Sequence, residues 1–275
     1  MRSLNYLAST DVPDPKTLPE QIRWWRRRRR LSQLELAGRA GLSQRHLSFI
    51  ELGRARPSRE MLLRIAEALS VPLRRQNVLL RAAGFAPQWR ETRPGEAAPE
   101  DVARALEHML GQQEPFPAVA VDRRWNLLDA NRSAVDLVAF LVGPVAPGTA
   151  INLADALVAP DVLRPFLTNW PEIVRHFIAS VEADAWEDGS PETAALLERL
   201  RRYHGVGAAL RAAAEPGAGG PILPMIFAKD GITLRLFTTI ATLGTPRDVD
   251  LAELRIENFY PMDEATEAWF RARQS

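Results

Sequence analysis

The chain has 275 residues, 46% hydrophobic and 25% charged, the balance of a soluble globular protein with apolar side chains for one large core or two ordinary ones. It holds no cysteine, which excludes disulfides and thiolate metal sites and fits a reducing, cytoplasmic setting. The net charge of +1 conceals an asymmetry: residues 1–93 hold 19 Lys/Arg against 8 Asp/Glu, and the remainder holds 16 against 26. A basic half of this kind suits a polyanion such as nucleic acid, and the acidic half calls for a different partner.

Residues 1–16, with Pro13 and Pro15, read as a flexible tail that lacks the apolar run of a signal peptide. From Thr17 onward short helices announce their starts. Thr17 with Glu20, and Ser32 with Glu35, have capping-box spacing; Ser43 and Ser58 are N-cap candidates; Pro72 belongs in the first turn of a fifth helix. Gly41, Gly53 and Gly84 fall where helices should stop. Helical spacing predicts inward positions for Leu34 and Ala37, for Leu47 and Ile50, and for Leu62, Ile65 and Leu69.

Residues 85–99, rich in proline, read as a linker. Val102, Leu106, Met109 and Leu110 then mark a helix, and 118–131 reads as two short strands about an Asp-Arg-Arg turn, with Asn131 or Ser133 capping the next helix. The most apolar stretch, 134–142, contains Asp136 and is shorter than the roughly 20 residues a membrane span needs. Residues 151–214 read as helices broken by prolines and 214–221 as a Gly-rich loop. Residues 222–260 read as a three-strand meander turning at Lys229-Asp230-Gly231 and again at 245–250, before a helix capped by Asp263.

The strongest local signal is LSQLELAGRAGLSQRHLSFIE, residues 31–51. Ala37 permits a close approach, Gly41 a sharp turn, and Ser43 caps a helix whose Leu47 and Ile50 face the core. Gln44, Arg45, Ser48 and Phe49 are left outside. Gln can pair with adenine and Arg can donate twice to guanine, as a helix in the major groove requires. Phe49 either packs on the domain or meets a thymine methyl. Arg26 to Arg30 cannot share one helix face; at least two are expected on phosphate, the plainer reading being a solvated face.

On Arg26, Ser32-Gln33, Leu36-Ala37, Gly41, Leu42-Ser43, Glu51, Gly53 and Pro57-Ser58, residues 18–83 resemble the lambda-repressor-like, or Xre-type, five-helix domain. The resemblance implies an ion pair between Arg26 and Glu51 and a phosphate contact from Gln33. The expected DNA-binding set is Gln33, Ser43, Gln44, Arg45, Ser48, Phe49 and Arg54. Arg30 departs from the pattern, where glycine is common, and reads as an extra basic contact or a partner of the helix dipole.

The segments 57–87 and VDRRWNLLDAN, then Asn169-Trp170 and RIENFYPMDEATE, resemble the MmyB-like regulators, in which such a domain precedes a PAS-like one. This implies an all-α five-helix helix-turn-helix domain at 17–84 and an α+β PAS-like domain at 100–275, an antiparallel sheet covered by helices. It also implies a lipophilic ligand such as a fatty acid. Val174, Phe177, Ile178, Val181, Met225, Phe227, Phe237 and Thr239 are the candidate lining, and Arg132 and Arg175 the candidate anchors for a carboxylate; the alternative is that these residues only fill a core. Trp125 and Trp170 are expected in the core, the alternative being the wall of a pocket.

His46, His108, His176 and His204 have no metal-ligand spacing, Gly205-Val206-Gly207 reads as a turn, and neither GxSxG nor GxxxxGK[ST] occurs. No metal, no cofactor beyond a bound fatty acid and no catalysis are expected. The expected partners are double-stranded DNA with a palindromic operator and a second copy of the chain, with no membrane. The rival readings are a C-terminal domain that only dimerises or binds a protein, and an enzyme tethered to DNA.

Overall fold

A computed structural model describes residues 17–91, 100–146, 148–212, 222–244 and 246–274. The expected tail 1–16, most of the expected linker and the whole of the Gly-rich loop at 214–221 lie outside the described residues. The chain divides into two compact units, the first built on residues up to Glu91 and the second on most of the residues from Thr92 onward.

Five helices make the first unit: α1 (Leu18–Arg28), α2 (Gln33–Arg39), α3 (Gln44–Glu51), α4 (Arg59–Ala68) and α5 (Leu73–Ala82). Local hydrogen bonds set their starts. Glu20 accepts from the Thr17 amide, Ser32 and Glu35 exchange bonds, and the Ser43 and Ser58 hydroxyls accept from the amides of His46 and Met61. Pro72 is the residue before α5 rather than in its first turn. Gly41, Gly53 and Gly84 follow helix ends with positive φ. Arg30 does so too, at φ 55°, which explains why a glycine suits that position. Ile22, Trp25, Leu36, Ala37, Leu47, Ile50, Leu62 and Ile65 fill the core. Leu34 is 65% exposed; Leu36 takes the inward place on α2.

The expected linker is in part structured. Asn77, wholly buried on α5, accepts from the amides of Gln88 and Trp89 at 3.0 Å and donates to the Trp89 carbonyl and the Glu91 carboxylate. The Trp89 indole donates to Gln76. Residues 88–91 are thereby strapped to α5. The signal for this lay in one asparagine side chain rather than in any periodicity.

The second unit opens with α6 (Glu100–Gln112), then β1 (Ala118–Val121) and β2 (Leu127–Ala130). Helices come next: α7 (Arg132–Val142), α8 (Leu153–Val158), a 3-10 turn (Arg164–Phe166), α9 (Trp170–Asp188), α10 (Pro191–Arg201) and α11 (Val206–Arg211). The chain continues through β3 (Met225–Lys229), β4 (Ile232–Ala241), α12 (Val249–Glu253), β5 (Arg255–Pro261) and α13 (Glu264–Arg271). The strands form one antiparallel sheet in the order β2-β1-β5-β4-β3. The Asp230-Gly231 turn has positive φ at both residues, as a two-residue hairpin requires. The expected final strand from Leu251 is shorter, because 249–253 is helical.

Asn131 caps α7, and its side chain bonds the Ala118 amide and the Leu110 and Phe116 carbonyls, joining α6, β1 and α7. One sheet face packs through Ala118, Ala120 and Ile256 against Leu106, Met109 and Leu110 of α6. The other carries Val119, Val121, Phe227, Leu234 and Leu236 against α7 to α11 and Phe270 of α13. No helix among the described residues is long and apolar enough to cross a membrane.

Candidate functional site

In the helical unit, the end of α3 is fixed by a carboxylate. Arg26 donates to Glu51 twice, Nε to Oε1 at 2.7 Å and a terminal nitrogen to Oε2 at 2.8 Å, and its other nitrogen donates to the Leu31 carbonyl at 2.9 Å. Gln33 donates to Glu51 Oε2 at 2.8 Å, and Arg23 to the Glu51 carbonyl. Burial by itself would raise the Glu51 pKa. Hydrogen bonds from Arg26 and Gln33 and the charges of Arg26 and Arg23 outweigh it and hold the carboxyl below its ordinary range. The start of α2 and the end of α3 are thus locked onto α1, which orients the exposed face of α3.

On that face Gln44 and Arg45 are exposed in the first turn, Ser43 is the cap, and Ser48 and Phe49 are half-buried. The Arg45 guanidinium lies 5.4 Å from the Phe49 ring centroid, so Phe49 is partly sheltered by the residue one turn before it. Arg54 is exposed just past the helix end. The structure therefore brings Ser43, Gln44, Arg45, Ser48, Phe49 and Arg54 to one helix and its exit, with Gln33 tied behind them to Glu51.

The arginine run divides by role. Arg26 is committed to Glu51, Arg28 stacks over Trp24, and Arg29 lies over Trp25 while donating to the Leu69 and Ser70 carbonyls. Arg27 and Arg30 are exposed. Burial, with the neighbouring charges of Arg29 and Arg75, brings Arg28 down to about 10, still a cation at neutral pH and crowded by like charge.

The second unit holds a cavity of about 370 Å³ between the inner sheet face and α7, α8 and α9. Its wall is apolar over most of its extent: Val119, Trp125, Leu137, Leu141, Leu153, Leu157, Ile173, Phe177, Leu223, Met225, Phe227, Ile240 and Phe259. Trp125, 5% exposed and in left-handed backbone at φ 65°, packs edge-on against Phe177 with ring centroids 4.8 Å apart. The polar side chains of the lining are His176, Ser180, Thr238 and Glu257. Burial raises the Glu257 carboxyl to about 7, against a hydrogen bond from Thr238 that lowers it.

Of the expected lining, Phe177, Met225 and Phe227 reach this cavity. Val174, Ile178 and Val181 do not; they are wholly buried among the helices, because the cavity takes the adjacent stripe of α9, namely Ile173, His176, Phe177 and Ser180. Phe237 and Thr239 are also off the cavity. Strand alternation turns them to the other sheet face, where Phe237 stacks on Tyr260 at 5.1 Å and Thr239 is exposed, and Thr238 and Ile240 line the cavity instead.

Neither expected anchor reaches the cavity. Arg132 is 72% exposed and 3.8 Å from Asp136, and Arg175 donates to the Ala209 carbonyl on α11 at 3.4 Å. Trp170 packs in the core, its indole donating to the Leu157 carbonyl, whereas Trp125, expected in the core, is both buried and part of the cavity wall. Sequence reading missed Glu257, which follows Ile256 and precedes Asn258 in RIENFYP with no local pattern to mark it; only strand pairing turns it to the cavity. Among the described residues no three His, Asp or Glu side chains are grouped to hold a metal ion.

Comparison with known proteins adds to this geometry. A family model described as "MmyB-like transcription regulator ligand binding domain" matches residues 102–272, and one described as "Helix-turn-helix" matches residues 22–76. No curated protein matches the chain. A solved structure described as "Structure of an RNA-binding Light-Oxygen-Voltage Receptor" is similar with a TM-score of 0.28 at 11% identity, over 94% of this chain and 63% of that one. The chain thus spans less than two thirds of that protein, and so slight a likeness carries no argument. The first family match covers well over half of the chain, and the helical unit supplies what the second describes. The chain belongs to the MmyB-like transcription regulators, DNA-binding proteins in which a helix-turn-helix domain precedes a ligand-binding domain.

Proposed function

We propose that this chain regulates transcription by binding a specific DNA sequence through α3, with its DNA affinity set by a lipophilic small molecule in the cavity of the second unit. The observation that carries the reading is the cavity. Its volume of about 370 Å³ falls within the range of roughly 300–1,000 Å³ typical of small-molecule sites. Its wall is mostly hydrocarbon with a few polar groups, the usual composition of a site for a lipophilic ligand. An acyl chain, as in a fatty acid, gains about 0.8 kcal/mol for each methylene it buries there. A C-terminal domain that only dimerises has no use for such a space.

On the DNA side, Gln44 and Arg45 read bases, and Gln33, Ser43, Ser48, Phe49 and Arg54 support them on the backbone and groove wall. A homodimer on a palindromic operator follows from the few base pairs that one recognition helix spans. The protein works in the cytoplasm at the nucleoid, and no catalytic step is assigned to it. The ligand acts only so far as it binds one DNA-affinity state better than another.

Organic extraction of the purified full-length protein, followed by mass spectrometry, tests the reading. The expected result is a lipophilic compound in stoichiometric amount, whose removal and return change the affinity for a selected duplex in a mobility-shift titration. An empty extract, together with DNA affinity indifferent to every lipophile added, contradicts it.

A further inference from the structure

Among the described residues the cavity wall contains no Arg or Lys side chain, and the one ion it presents is a carboxylate. Glu257 lies on β5, opposite Ile240 of β4 and Val119 of β1, so it points from the middle of the sheet into a mostly hydrocarbon space. Thr238 donates a hydrogen bond to it. Arg255 and Arg123 are engaged elsewhere, Arg255 with Asp184 at 2.6 Å and Arg123 with Glu253 at 3.1 Å. His176 and Ser180, one turn apart on α9, complete the polar lining. The indole nitrogen of Trp125, in the wall of the cavity, is buried with no hydrogen-bond partner among the described residues.

An anionic head group here meets a carboxylate in a medium of low polarity, and like charges at such a site oppose each other strongly. A hydroxyl or ammonium head donates to Glu257, and a hydroxyl can also accept from an indole N–H. We infer that the cavity selects an amphiphile whose head group is uncharged or cationic and donates a hydrogen bond to Glu257, in preference to a fatty-acid carboxylate. This rests on the reading of the cavity as a lipophilic ligand site and narrows it to a head-group chemistry. Burial holds Glu257 near 7, so at pH 8 it is largely ionised and the preference is strongest.

The test is calorimetric titration of the delipidated full-length protein at pH 8 with lauryl alcohol, laurylamine and laurate, which share one chain length. The inference expects the alcohol and the amine to bind roughly tenfold or more tighter than laurate, and Glu257→Gln to abolish the advantage of the amine. Glu257→Gln is nearly isosteric, and Thr238→Val, which removes only the neighbouring hydroxyl, is a second variant should the first fail to fold; it should leave laurate the weakest of the three. Laurate binding as well as the others in the wild type overturns the head-group inference and leaves the lipophilic-ligand reading standing. No binding by any of the three overturns both.

Discussion

Arg26, in the last turn of α1, donates two hydrogen bonds of 2.7 and 2.8 Å to Glu51 at the end of α3, edge to edge, with the carboxylate 2% exposed. The geometry is the bidentate fork in which guanidinium and carboxylate bind best. Its consequence is positional: α3 cannot tilt without breaking both bonds and the one from Gln33.

Removing Glu51 leaves the partly buried Arg26 guanidinium without its carboxylate, with only the Leu31 carbonyl still accepting from it. Glu51→Ala in the full chain should cost about 3–5 kcal/mol in the stability of the helical unit, and the loss should be strongly non-additive with Arg26→Ala. A double-mutant cycle by chemical denaturation measures this; two independent losses that simply add would show the pair to be uncoupled. The folded-state carboxyl titrates below its ordinary value of 4.5. Its contribution is therefore complete above that value and is lost as the pH falls through the lower folded-state value. Wild type should lose stability in acid more steeply than the double mutant.

Asn131 is buried and makes four hydrogen bonds to four separate backbone groups. Asn131→Ala takes their side-chain partner from the Ala118 and Ala134 amides and the Phe116 carbonyl, while the Leu110 carbonyl still accepts from the Gln113 amide at 3.3 Å. At about 1–3 kcal/mol for each buried group left unsatisfied, it should be among the most damaging substitutions in the second unit. Thermal melting followed by near-ultraviolet circular dichroism checks it, and a melting temperature unchanged from wild type would show that these bonds are replaced by water.

Arg30→Gly should stabilise the helical unit. The residue sits at φ 55°, where a Cβ is strained and glycine is not. The gain is on the order of 1 kcal/mol, since relief of strain exceeds the added freedom of the unfolded chain. If Arg30 also holds a phosphate, the same variant weakens binding to all duplexes alike and lowers the salt dependence of that binding. Melting curves and binding at two salt concentrations separate the two effects.

What could be read from the sequence and what could not divides by range. Caps at Ser32, Ser43, Ser58, Asn131 and Asp263 were legible because a cap is a bond between residues three apart. The pairing of Arg26 with Glu51, 25 residues apart, was accessible only through a resemblance. Strand β4 has apolar residues on both parities, Leu234 and Leu236 on one and Phe237 on the other, so its sequence does not say which face is inner. Pairing with β3 and β5 decides it, and that decision exchanges Phe237 and Thr239 for Thr238 and Ile240. The stripe of α9 that faces the cavity was likewise set by neighbours, since α9 has apolar residues on more than one side. A carboxylate in place of the expected arginine anchor is a tertiary fact of the same kind: Glu257 is ordinary in its strand and unusual only for what surrounds it.

The central claim is that α3 reads base sequence, and selection from a pool of random duplexes tests it most directly. Wild-type protein should enrich one motif with two-fold symmetry over successive rounds. Arg45→Ala should lose about 1–3 kcal/mol on that motif and much less on unselected duplexes, because Arg45 stands exposed in the first turn of α3, where a guanidinium reaches guanine. Failure of the wild-type protein to enrich any motif, or an equal loss for Arg45→Ala on selected and unselected DNA, would contradict the account.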